Sequence, residues 1–83
     1  MTRLLLPTPE AQFDIDAAIL SYEAARSGLG DRFLAELDNV FDRIREHPQQ
    51  FPIIEHEVRR ALLRRYPYAV YFLESERAVS VIA

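Results

Sequence analysis

The chain has 83 residues, 49% apolar and 28% charged, with two Gly, five Pro and a net charge of −3. One small globular domain fits residues 1–83 and a second does not. The absence of cysteine excludes disulfides, thiolate metal sites and thiol nucleophiles, and the acidic balance argues against non-specific DNA binding.

The opening run, residues 1–6, is too short for a secretory leader, and Pro7, Glu10 and Asp14 interrupt anything longer. No window approaches the roughly 18 apolar residues of a membrane span, so the expectation is a soluble cytoplasmic protein. Burial should contribute roughly 130 kcal/mol at about 25 cal/mol/Å², against roughly 125 kcal/mol for ordering the chain. So close a balance predicts a marginal domain that a partner covering apolar surface would stabilise.

Residues 3–6 are too apolar to dangle and predict an edge strand. Thr8, Pro9 and Glu10 then open a helix as hydroxyl cap, first-turn proline and early carboxylate. Ala11, Ile15, Ala18, Ile19, Tyr22 and Ala25 continue it as an apolar stripe of helical period. Gly28 and Gly30 bracket Leu29, where a left-handed helix end and a short reversal cost little.

A second helix is predicted from Gly30 or Asp31, with Phe33, Leu34, Leu37, Val40, Phe41 and Ile44 as its stripe and His47 and Pro48 as its stop. The short connection makes the two helices an antiparallel hairpin whose stripes cover each other only in part. After Gln50 the period changes. Residues 51–54 suit a short extended piece, and 57–63, 68–73 and 78–82 read as strands, the last two close enough for a hairpin. Segment 68–73 is apolar on both faces and so predicts a central strand, with at least one of Tyr68 and Tyr71 in the core. The expected fold class is α+β: an N-terminal strand, a helical hairpin, then an antiparallel sheet carrying the hairpin on one face.

The chemistry is sparse. His47 suits the helix end, where a cation meets exposed carbonyls, and His56 flanks a strand between Glu55 and Glu57. The two imidazoles make no zinc spacing, no serine belongs to a triad motif, and neither glycine lies in a phosphate loop, so no cofactor or metal is expected. All ten bases are Arg, and Arg59, Arg60, Arg64 and Arg65 cluster within residues 51–83, which carry a net +1 against −4 for residues 1–50. That cluster reads either as a solvated strand face paired with helix carboxylates or as a patch for an anionic partner, since guanidinium suits bidentate recognition of carboxylate or phosphate.

The run from Arg59 to Phe72, with its Arg64-Arg65-Tyr66-Pro67-Tyr68 centre, preceded by Pro9-Glu10-Ala11, the Gly28-Leu29-Gly30 turn and Phe33, resembles the ParE branch of the RelE/ParE toxin superfamily. The similarity runs along essentially the whole chain. It implies the same order of elements and a toxin of a type II toxin–antitoxin module, neutralised by a small cognate antitoxin. ParE-like members poison DNA gyrase, which implies a protein-binding inhibitor; here Arg59, Arg60, Arg64, Arg65, Phe33 and Leu37 are the expected partner-binding residues. The RelE-like branch cleaves mRNA on the ribosome with basic residues spread over the sheet, and in that reading Arg59, Arg65 and Tyr68 would be catalytic. Family members usually continue past the last strand with a basic segment. The expectation here is a domain lacking it, which weighs against the ribonuclease reading and leaves an inactive binding relic as a third.

Overall fold

The computed structural model describes residues 3–83. In chain order the elements are β1 (Leu4–Pro7), α1 (Pro9–Ala25), α2 (Leu29–Glu46), a 3₁₀ turn (Pro48–Gln50), β2 (Ile53–Glu55), β3 (Val58–Leu62), β4 (Ala69–Glu74) and β5 (Ala78–Val81). The strands form one sheet in the order β1-β5-β4-β3-β2, so β4 is central as its two apolar faces predict. Among the described residues no helix is long and apolar enough to cross a membrane.

Helix α1 begins as the sequence reads: the Thr8 hydroxyl accepts the Ala11 N–H at 3.1 Å and Pro9 fills the first turn. The turn after α1 is built by a residue that lies off the predicted stripe. The Glu23 carboxylate accepts the N–H groups of Gly28 and Gly30, each at 3.0 Å, satisfying donors that the start of α2 leaves open. Gly28 is left-handed at φ 91°, and α2 starts immediately after it at Leu29 rather than at Gly30 or Asp31. Gly30 serves closeness instead of handedness, since a Cβ there would stand 2.9 Å from the Ile19 carbonyl oxygen of α1. At the far end the His47 N–H donates to the Arg43 carbonyl at 2.9 Å and Pro48 turns the chain away.

The core lies between α2 and one face of the sheet. Phe33, Leu37, Val40, Phe41 and Ile44 of α2 are buried against Ala61, Val70, Phe72, Val79 and Val81. Helix α1 flanks α2 and sinks only Ala11 and Ala18 completely.

Two expectations are corrected. The sheet is mixed: β1 pairs with β5 in parallel, Leu4 opposite Ala78 and Leu6 opposite Ser80, while the other pairs are antiparallel. Strands β2, β3 and β4 follow the helices and alternate in direction, β2 running opposite to β1, so β5 comes back parallel to β1 through a long connection of the kind a parallel pair requires. Neither Tyr68 nor Tyr71 is in the buried core. Tyr68 precedes β4 and is 45% exposed, and Tyr71 points to the sheet face away from the helices, opposite Arg60.

Candidate partner-binding groove

Because α1 leans on α2 and β1 but leaves β4 uncovered, a groove of about 840 Å³ opens between α1 and the β3–β4 end of the sheet. One wall is α1, with Ile15 and Ala18; the floor is Phe33, Leu37 and Phe41 of α2; the opposite wall is Tyr66, Tyr68 and Val70. Both apolar residues expected to bind a partner, Phe33 and Leu37, thus meet on one floor, each 3% exposed. The chain exposes 5875 Å² in all, against about 5,100 Å² expected for a compact monomer of its mass.

An aromatic cluster closes one end. Tyr22 stacks on Phe33 at 5.2 Å between centroids, and Tyr66 and Tyr68 meet Phe33 edge-on at 5.3 and 5.6 Å. Such pairs prefer offset or edge-to-face contact and hold the 64–67 turn to the helices. Burial among these rings, then the neighbouring Tyr68, pushes the Tyr22 phenol above its ordinary value of 10.0. A phenol so shifted stays protonated at neutral pH and acts as a hydrogen-bonding group rather than as a base. Each ring stands in the sequence as an isolated aromatic; only the Tyr66-Pro67-Tyr68 run hinted at the cluster.

The four clustered arginines are dispersed by the fold. Arg59 lies on the helix side of β3, where its Nε is 3.5 Å from Glu74 and its Nη1 donates to the Phe51 carbonyl at 2.7 Å. Glu74 also takes Arg3 at 3.1 Å, so this carboxylate clasps the segment before β1 to β3 and β4. Arg60 points to the opposite sheet face, and Arg64 and Arg65 belong to the turn beyond β3. The Arg64 N–H donates to Glu36 at 2.9 Å, which docks that turn on α2, and Arg65 is left-handed at φ 67°. Among the described residues no carboxylate forms an ion pair with Arg60, Arg64 or Arg65.

The set Arg59, Arg65 and Tyr68 is therefore not one constellation. Arg59 faces Phe72 inside the strand ladder and is tied to Glu74, whereas Arg65 and Tyr68 lie beyond the end of β3. His56 occupies an exposed turn beside Glu55 at 3.7 Å, away from the groove. Among the described residues no group of three His, Asp or Glu gathers as a metal-ligand set.

No protein-family model and no curated protein matches the chain. Among solved structures, a chain from the "Chromosomal ParDE TA system from P. aeruginosa" superposes with a TM-score of 0.82, covering 98% of this chain and 91% of that chain at 18% identity. Identity that low speaks to architecture, and the architecture agrees element by element: N-terminal strand, helical hairpin, then sheet. The chain has a RelE/ParE-like fold.

Proposed function

We propose that this chain is the toxin of a type II toxin–antitoxin pair, that it acts by binding protein, with DNA gyrase as target, and that its antitoxin neutralises it by seating an apolar segment in the groove. The observation that carries this reading is the groove itself: about 840 Å³ of mainly apolar surface floored by Phe33 and Leu37, in a fold shared with a chain of a ParDE toxin–antitoxin system. Arg64 and Arg65 stand between the lining residues Leu63 and Tyr66, and among the described residues their guanidinium groups form no ion pair, which suits an antitoxin segment that pairs apolar anchors with acidic residues. A chain of marginal stability gains most from such a partner.

The test is co-expression with the product of the gene adjacent to its own. A stoichiometric complex is expected, weakened at least tenfold by Ala17→Arg or Ser21→Arg, both exposed residues on the α1 wall. The free protein should lower gyrase supercoiling and leave mRNA on translating ribosomes uncut. Ribosome-dependent cleavage that Arg65→Ala abolishes would replace this reading with the ribonuclease one. Free protein indifferent to its neighbour and to gyrase would end the toxin reading.

A further inference from the structure

Helix α1 carries a second apolar line on the side away from the core. Phe13 and Leu20 are 73% and 70% exposed, more than any other large apolar residue among the described ones. They stand two helical turns apart and so share one face, which the exposed Ala24 extends by a further turn. None of the three lines the groove, which takes the Asp14 and Ser21 side of the helix. A single exposed leucine is ordinary, but a line of apolar residues along one face is the seam that a neighbouring helix covers.

Carboxylates border this seam on both sides. Helical spacing sets Glu10 and Asp14 along the flank nearer the groove, and Asp16 and Glu23 along the flank nearer α2. Residues 9–25 contain no base, and among the described residues none of these four carboxylates forms an ion pair.

We propose that the seam of Phe13, Leu20 and Ala24 docks an amphipathic helix of another protein, one that carries Lys or Arg on both borders of its apolar stripe. Charge decides the occupant. A second copy would lay α1 against α1 and set carboxylate rows against carboxylate rows, which repel. An anionic membrane surface is excluded by the same sign, because helices that lie on it present Lys and Arg. A helix suits the seam better than a strand, since side chains on its two borders reach both carboxylate rows at once. Phe13 is bulky and Ala24 small, so the partner's stripe should be small opposite the first and large opposite the second.

The seam offers about 300 Å² of apolar surface, against about 800 Å² per partner in a stable complex, so the contact belongs to the transient class. It does not rest on the toxin reading. The groove partner sets acidic residues against arginines, whereas this one sets bases against carboxylates on another face of α1.

The probe is a synthetic helical peptide of three heptads whose apolar stripe is bordered by lysines, together with a twin in which glutamates replace the lysines. Fluorescence anisotropy against the full chain at low salt should give a Kd of about 1–100 µM for the lysine peptide and a value at least tenfold weaker for the glutamate twin. Phe13→Gln combined with Leu20→Gln keeps every charge and alters no buried residue. It should weaken the lysine peptide at least tenfold while far-UV circular dichroism is unchanged. Equal affinity for the two peptides overturns the proposal, and so does failure of the lysine peptide to bind at up to about 1 mM. Binding that survives the double substitution overturns it too, since the peptide would then sit elsewhere, as in the groove.

Discussion

Helices α1 and α2 are nearly equal in length and lie side by side, yet they do opposite work. In α2 the large apolar residues keep to one stripe, and five of its six, Phe33, Leu37, Val40, Phe41 and Ile44, are buried, with Leu34 at its edge 37% exposed. In α1 apolar residues occur on every side: Ala11 and Ala18 face inward, Ile15 and Tyr22 are half-buried along the groove, and Phe13 and Leu20 face solvent. A helix that holds a fold together commits one face and keeps the rest polar. A helix with apolar residues left over is built for contacts that its own chain does not supply.

The largest break in this comparison is expected in α2. Ile44 is 0% exposed, and Ile44→Ala should cost about 2–5 kcal/mol, read as a lowered urea midpoint. Next comes the seam between the helices. Gly30→Ala gains helix propensity but drives its Cβ to 2.9 Å from a backbone oxygen of α1, and the rigid neighbour makes a loss of about 1–3 kcal/mol the expected net result.

The turn between the helices should respond to acid. Two backbone N–H groups hold the Glu23 carboxyl below its ordinary 4.5, so the folded state binds that proton less readily than the unfolded chain does. Its stabilisation is therefore complete above about pH 4.5 and disappears as pH falls through the lower folded value. Urea midpoints of the wild type and Glu23→Gln should differ at pH 6 and draw together as pH falls below 4.5. The smallest effect is expected on the outer side of α1, where Leu20→Gln should change stability by no more than about 0.5 kcal/mol. A large loss there would mean that α1 is as much a core element as α2.

The helices and strands were legible in the sequence because their signals are local: the Thr8-Pro9 cap, two stripes of helical period, and the return of alternation after Gln50. The floor of the groove was legible too, since Phe33 and Leu37 stand on a stripe that a single neighbouring helix could not cover. What could not be read depends on partners far away in the chain. Arg59 and Arg60 are adjacent, yet one turns inward to Glu74 and the other outward beside Tyr71, and only the β3–β4 register decides which. The meeting of Tyr22 and Phe33 with Tyr66 and Tyr68 likewise exists only once a distant turn is docked on the hairpin. The parallel pairing of β1 was hidden for the same reason.

That pairing sets a schedule for the molecule. Strand β1 is made early, but its ladder partner is β5, with Leu4 opposite Ala78, so the sheet cannot close until nearly the last of these residues has left the ribosome. During synthesis the amphipathic hairpin is already out and its apolar floor has no sheet to rest on. On the function proposed above, the interval before β5 emerges is one in which a restraining partner can already be waiting.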